Sequence, residues 1–86
     1  MPQSPAPLHL TRRDPSCNMS RFYALSLEPT LFGEVMLIRT WGRIGTSGQV
    51  KVQTFTQPAE AIDALDRLRH QKLKRGYRAE SDIADA

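Results

Sequence analysis

The chain has 86 residues, of which 40% are hydrophobic and 24% are charged, with 12 Lys and Arg against 9 Asp and Glu. This length predicts one domain with one modest core, and the net charge of +3 favours an acidic partner. A single cysteine, Cys17, excludes a disulfide within the chain, and no apolar stretch reaches the ~18–20 residues of a membrane span. Residues 1–7 have neither a charged nor an apolar signal region, so the expected location is the cytoplasm.

Two short strands are predicted near the beginning of the chain. Alternating apolar and polar residues indicate strands at 8–13 and 21–28. Residues 14–18 between them are rich in Asp, Pro, Ser and Asn, which favour a turn. Residues 1–7 contain three prolines and little to bury, so they are predicted to be a disordered lead.

Two further strands flank a glycine-rich segment. Residues 34–41 are apolar on both predicted faces, which places this strand in the interior of a sheet. Residues 49–55 are rich in Val and Thr and form the fourth predicted strand. Gly42, Gly45 and Gly48 lie between them and predict a turn, because glycine adopts positive φ freely.

One helix is predicted from the segment 56–60 to Gly76. Pro58 falls in the first turn, where its missing N–H is not needed, and Gly76 follows two cations suited to a helix C-terminus. Apolar residues spaced three or four apart between these limits form a stripe for packing. The acidic segment 79–86 is predicted to be a flexible tail.

Strands followed by one helix predict an α+β domain over residues 8–78, a small antiparallel sheet with one long α-helix packed on it. The core is expected where strand alternation meets the helical stripe. It comprises Leu25, Leu27, Leu37, Ile38, Val52, Phe55, Ile62, Leu65 and Leu68.

The only tryptophan, Trp41, stands two positions before Arg43 at the end of the third predicted strand. Trp41 provides a flat π-face and Arg43 a permanent cation with planar donors, which together suit a flat anionic ligand. Two interpretations stay open: Trp41 is a ligand platform, or it is half-buried core with Arg43 stacked on its ring.

Basic residues are concentrated near the end of the predicted helix. Residues 67–78 contain six cations and no acid, which is typical of a surface for an acidic partner. Lys72 lies on the apolar stripe within this segment. Its stem either covers the core while its amine reaches water, or the side chain takes part in binding.

Patterns for catalysis, metal binding or cofactor binding are not recognisable. His9, His70 and Cys17 are far apart in sequence and lack the spacing of metal ligands. The glycine-rich segment 42–48 lacks the Gly-Lys-Ser/Thr sequence of a phosphate-binding loop and precedes a strand instead of a helix. The sequence therefore predicts no enzyme, no cofactor and no metal site.

Nucleic-acid binding fits the residues better. Cations attract phosphates whatever the base sequence, and an aromatic face stacks on an exposed base or sugar. The candidate nucleic-acid-binding residues are Trp41, Arg43, Arg21, Arg39, Lys51, Lys72 and Ser20.

The chain resembles the WGR domain family in an ordered series of motifs. These are Arg21-Phe22-Tyr23, then Trp41-Gly42-Arg43-Ile44-Gly45 with Gly48 three residues on, Phe55, and the helix end Lys72-Leu73-Lys74-Arg75-Gly76-Tyr77. The resemblance covers about residues 8–78. WGR domains occur in poly(ADP-ribose) polymerases, in certain bacterial regulatory and ligase-associated proteins, and alone in small bacterial proteins.

This resemblance implies an antiparallel sheet with one packed helix and binding of DNA at ends or breaks. By position, Trp41 would stack at the terminal nucleotide, Arg43 would contact DNA or neighbouring domains, and Ser20 and Arg21 would lie near the phosphate backbone. A second class stays open, in which the domain is a protein-interaction adapter or regulatory module and Arg43 contacts another protein. DNA is thus the expected partner, another protein is the alternative, and no membrane partner is expected.

Overall fold

A five-stranded antiparallel sheet carries one helix on one of its faces in a computed structural model that describes residues 7–79. The sheet order is β4-β3-β2-β1-β5. The elements are β1 (Leu8–Asp14), a 3-10 turn (Pro15–Cys17), β2 (Met19–Pro29), β3 (Val35–Arg43), β4 (Gln49–Phe55), α1 (Pro58–Lys74) and β5 (Arg78–Ala79). The predicted α+β fold is confirmed. No helix within residues 7–79 is long and apolar enough to cross a membrane.

The four predicted strands form, and β3 is an interior strand between β2 and β4. The short strand β5 was not predicted, because two residues are too few to show a period. It is held by pairing of Ala79 with Leu10 on β1. Apart from Pro7 and Ala79, the predicted lead at 1–7 and the predicted tail at 79–86 lie outside the described residues.

The helix α1 begins and ends where backbone chemistry predicts. Pro58 occupies the first helical position after Gln57, and Glu60 lies in the first turn, where the helix dipole favours an anion. At the other end Gly76 has a φ of 96°, the left-handed conformation that glycine adopts at little cost. These local signals determine the length of the helix and therefore where its basic end lies over the sheet.

The core lies between α1 and one face of the sheet. Its buried hydrophobic side chains are Leu10, Tyr23, Leu25, Leu27, Leu37, Ala61 and Tyr77. Burial was predicted correctly for Leu25, Leu27 and Leu37, while Ile38 is half-buried and Phe55, Leu65 and Leu68 are half-buried against this cluster.

Two predicted core residues are wrong. Val52 is 51% exposed because it pairs with Ile38 on the sheet face that has no helix, and one helix covers only one face. Ile62 is 49% exposed because the packed stripe of α1 runs through Ala61, Leu65 and Leu68. At its N-terminal end the packed stripe therefore passes through Ala61 instead of the predicted Ile62.

Candidate nucleic-acid interface

Trp41 lies near the end of β3 on the face of the sheet that carries α1. Its register partners are Tyr23 on β2 and Gln49 on β4. The ring centroids of Tyr23 and Trp41 are 6.3 Å apart, with 37° between the ring planes. Tyr23 is buried, whereas Trp41 is half-buried and packs against the core. We call these two rings the aromatic pair. Trp41 combines a core contact with accessible surface.

The glycines after Trp41 act differently from the prediction. Gly42 lies inside β3 without a positive φ, whereas Gly45 and Gly48 have φ of 96° and 73°. A Cβ on Gly42 would lie 2.8 Å from the Cα of Gly48, so Gly42 permits close backbone approach and does not make the turn. A Cβ on Gly48 would lie 2.9 Å from the ring of Phe22, which is on the helix-free face. The loop therefore folds toward that face and leaves the Trp41 face open.

The end of α1 places Lys72 and Tyr77 over the aromatic pair. The N–H of Tyr77 donates to the carbonyl of Lys72 at 3.0 Å, and the N–H of Gly76 donates to the carbonyl of Leu73 at 3.1 Å. This double hydrogen bond is the Schellman arrangement, which reverses the chain after a helix. It brings the Tyr77 ring edge-on to Tyr23 at 6.3 Å. The Lys72 ammonium lies 4.4 Å from the Tyr23 ring centroid and 5.6 Å from that of Tyr77.

Three arginines form a row across three neighbouring strands. Arg21 on β2 is directly opposite Arg12 on β1 and directly opposite Arg43 on β3. We call Arg12, Arg21 and Arg43 the arginine row. Like charges placed opposite each other destabilise a sheet. The row therefore indicates a surface that gains from an anionic ligand.

A second basic group lies on the other side of Trp41 along β3. Arg39 is directly opposite Lys51 on β4, and we call these two residues the inner pair. The Nε of Arg39 is buried and has no hydrogen-bond partner. A buried donor without a partner has lost its hydration without replacement. An anion entering here would supply the missing acceptor.

The surface around the aromatic pair is basic. A recess of about 340 Å³ is lined by Arg12, Met19, Arg21, Phe22, Tyr23, Trp41, Gly42, Lys72, Arg75 and Tyr77. A second recess of about 310 Å³ is lined by Tyr23, Arg39, Trp41, Lys51 and Lys72. Neither lining contains an acid. Within residues 7–79, ion pairs join only residues of α1 to each other, so these cations are not neutralised by described acids.

The structure brings most of the sequence-predicted residues together. Trp41, Arg39, Lys51 and Lys72 line one recess, and Arg21 lines the adjoining one. Arg43 lies at the end of the arginine row and lines a third recess of about 300 Å³ with Arg21 and Ser20. Ser20 is placed differently: by strand alternation it is on the opposite face from Arg21, and its carbonyl accepts a hydrogen bond from Ile44 at 3.0 Å.

Sequence reasoning missed five of the charged and aromatic residues that line the first recess: Arg12, Phe22, Tyr23, Arg75 and Tyr77. Arg75 belongs to the basic helix end, and the glycine after it predicts the reversal that returns Tyr77 to the sheet. Tyr23 shares a strand face with Leu25, and strand alternation alone does not separate a ring of the site from a ring of the core. Arg12 had no signal in the chain alone, because its place depends on the pairing of β1 with β2.

The surroundings of Lys72 lower the pKa of its ammonium. Burial lowers the pKa of its ammonium below the ordinary 10.5, and the charges of Arg75 and Arg39 lower it further. Each cause disfavours the charged form of the amine. Two roles were considered for Lys72, covering the core and binding a ligand. Its position is compatible with both, because the side chain lies over the buried Tyr23 ring and also lines the recess.

The remaining titratable groups and recesses within residues 7–79 differ from the surface around Trp41. No group of three or more His, Cys, Asp or Glu side chains there could hold a metal ion. Cys17 is exposed. A recess of about 640 Å³ between α1 and β4 has mixed charge, because Glu60, Asp63, Arg39 and Arg67 are all among its lining residues. The two recesses beside Trp41, in contrast, are lined by cations without an acid.

Comparison with known proteins gives one family and one fold. A family model described as WGR domain matches residues 6–84. An uncharacterised protein of Sinorhizobium fredii is 51% identical over 78 residues, which are 91% of this chain and 38% of that protein. The chain thus spans less than half the length of this relative.

A crystal structure of a Bacteroides fragilis protein has a TM-score of 0.71 to this chain at 24% sequence identity. The likeness covers 91% of this chain and 20% of that chain. At this level of identity it shows the fold alone.

Proposed function

We propose that this chain, which belongs to the WGR domain family, is a non-enzymatic nucleic-acid-binding module that binds DNA ends or breaks. The family is known as a nucleic-acid-binding module in poly(ADP-ribose) polymerases. The observation that carries the proposal is the aromatic pair, half-open at Trp41 and bordered on both sides by cations without a described acid among them.

Phosphate contacts are assigned to the arginine row, the inner pair and Lys72. Cations placed around one recess attract the phosphate backbone irrespective of base sequence and release condensed counterions on binding. With roughly three or four phosphates neutralised, log K falls with log salt at a slope of about −3 to −4. Arg43 and Arg21 stand at the edge of this surface, where the phosphate backbone would approach.

Stacking is assigned to Trp41. Its ring is supported by Tyr23 at 6.3 Å and retains accessible surface. A supported ring beside cations suits a terminal base or sugar, because an end offers a face that internal base pairs keep covered. An end or break thus provides both the stacking face and the phosphates that this surface could hold.

The test compares labelled duplexes with blunt, nicked and 5′-phosphorylated ends, together with single strands and RNA, across a salt series. Trp41→Ala is expected to weaken binding to DNA ends roughly five- to a hundredfold, since stacking on an aromatic is worth ~1–3 kcal/mol per base. Trp41→Phe, which keeps a flat ring, is expected to retain part of the affinity. Wild-type Trp41 fluorescence is expected to change when DNA ends are added.

Two controls isolate the Trp41 effect. Urea unfolding checks that Trp41→Ala is folded under the binding conditions. Arg67→Ala removes an exposed cation paired with Asp63 on α1, away from the aromatic pair, and is expected to leave DNA affinity within about twofold. Unchanged fluorescence with DNA, combined with unfolding of Trp41→Ala, would assign the ring to the core alone.

A protein-interaction adapter is the second candidate, and exposed apolar residues favour it. Leu31 and Phe32, at the turn between β2 and β3, are 98% and 87% exposed, and Val50 and Val52 are more than half exposed on the helix-free face. Leu31 and Phe32 lie beyond the other end of β3 from Trp41, and Val50 and Val52 lie on the opposite face of the sheet from its ring. The adapter function predicts that wild-type DNA binding is absent or indifferent to salt between dilute and physiological buffer.

A further inference from the structure

We propose that the site holds one nucleotide together with the phosphate on each side of it, with the arginine row binding one phosphate and the inner pair binding the other. This inference rests on the proposed function. Its ligand class is a nucleic-acid strand that keeps both phosphates flanking the stacked residue. A terminal nucleotide lacking either flanking phosphate would occupy only half of the site.

The two basic groups lie on opposite sides of Trp41 along one strand. Arg43 of the arginine row follows Trp41 by two residues, and Arg39 of the inner pair precedes it by two. Because alternate residues share a face, all three are on the face that carries α1. At ~3.3 Å per residue the two arginine Cα atoms are about 13 Å apart, with the ring between them. A strand crossing the ring thus meets cations before and after it.

The inner pair has the features of an anion subsite of its own. Arg39 and Lys51 are cations in direct cross-strand register, an arrangement that is unfavourable without a counterion. The Arg39 Nε is buried without a hydrogen-bond partner. Although Arg39 also borders the recess with Glu60 and Asp63, it forms no ion pair with either. A phosphate oxygen would satisfy both the charge and the orphan donor.

Lys72 connects the two groups. It lines the recess of the arginine row and also that of the inner pair. Its ammonium rests over Tyr23 at 4.4 Å, so it stands above the aromatic pair where the stacked nucleotide would lie. Burial, and then the charges of Arg75 and Arg39, lower the pKa of the Lys72 ammonium, and a phosphate beside it would favour its charged form. Lys72 would then be a cation shared between two phosphates.

The test uses a DNA hairpin that presents one 5′-phosphorylated end and three variants of it. One variant lacks the terminal phosphate, one carries a neutral methylphosphonate at the first internucleotide linkage, and one combines both changes. Affinities are measured by fluorescence anisotropy for the full chain. Removal of either phosphate is expected to weaken wild-type binding about tenfold or more, since each accepts charge-assisted hydrogen bonds.

Single variants then assign each phosphate to its group. Lys51→Gln, at an exposed position, and Arg39→Gln are each expected to abolish sensitivity to one of the two phosphates and to keep sensitivity to the other. Arg21→Gln is expected to show the opposite pattern. Arg13→Gln serves as the matched control, because Arg13 follows Arg12 in the chain and lies on the opposite face.

Three outcomes decide the proposal. Opposite phosphate sensitivities in the Lys51 and Arg21 variants support it. The proposal is overturned, and the proposed function is kept, if the hairpin binds in a salt-dependent way but both variants lose sensitivity to the same phosphate. The same conclusion follows if removing either phosphate leaves the wild-type affinity unchanged. Failure of every hairpin to bind overturns the proposed function and this inference together.

Discussion

Arg21→Gln is expected to stabilise the domain and to weaken DNA binding. Arg21 is the central member of the arginine row and faces a cation on each neighbouring strand, Arg12 and Arg43. A like-charge cross-strand pair costs ~0.2–1 kcal/mol, so removing the central charge relieves roughly 0.4–2 kcal/mol. Because Arg21 is exposed and its charge is screened by solvent, the lower half of this range is expected.

The same substitution removes one phosphate contact from the proposed DNA surface. The slope of log K against log salt is expected to become shallower by about 1. A gain in stability combined with a loss of binding is what distinguishes a ligand-binding row from a structural one. Glutamine keeps most of the side-chain stem, so the packing of Arg21 over its neighbours changes little.

Stability is measured by urea unfolding, once in dilute buffer and once in 1 M salt, and binding by anisotropy of a labelled blunt duplex. The stabilisation is expected to shrink in 1 M salt, where the screening length falls to about 3 Å. Arg13→Gln, opposite the uncharged Ser20, is expected to show neither effect. A destabilised Arg21→Gln with unchanged DNA affinity would refute the reasoning, because the arginine would then support the fold.

Leu37→Ala, at a side chain with 0% exposure, is expected to cost about 2–5 kcal/mol in urea unfolding, whereas Ile62→Ala, at 49% exposure, is expected to cost under about 1 kcal/mol. Equal losses would contradict the assignment of the packed stripe. A bound phosphate is expected to raise the pKa of Lys72 above the lowered value that it has in the free protein. DNA affinity is therefore expected to be full at pH values below the free-protein pKa and to fall as pH rises through the pKa of Lys72 in the complex. Lys72→Arg stays charged over the same alkaline range and is expected to keep its affinity, so identical pH profiles would exclude Lys72 from binding.

Local chemistry in the chain was enough to predict the four longer strands and the helix. Proline at 58 and glycine at 76 determine where α1 begins and ends through their own backbone preferences, which act without tertiary neighbours. Alternation in the strands likewise predicted that Leu25 and Leu37 are buried. The tryptophan, the two flanking arginines of β3 and the basic helix end were also recognisable as candidates, because each is an unusual residue in an ordered motif.

Tertiary structure decided which face is covered and which residues meet. The helix covers one face only, so Val52 is exposed although its strand pattern resembles that of buried residues. Cross-strand register placed Arg12 and Arg43 on either side of Arg21 and placed Arg39 opposite Lys51. Register depends on pairing between segments that are distant in sequence, and the periodicity within one segment does not determine which residues lie opposite it. Apart from β5, the strands and the helix therefore followed from the sequence by itself, whereas the cross-strand placement of cations around Trp41 followed only from their assembly.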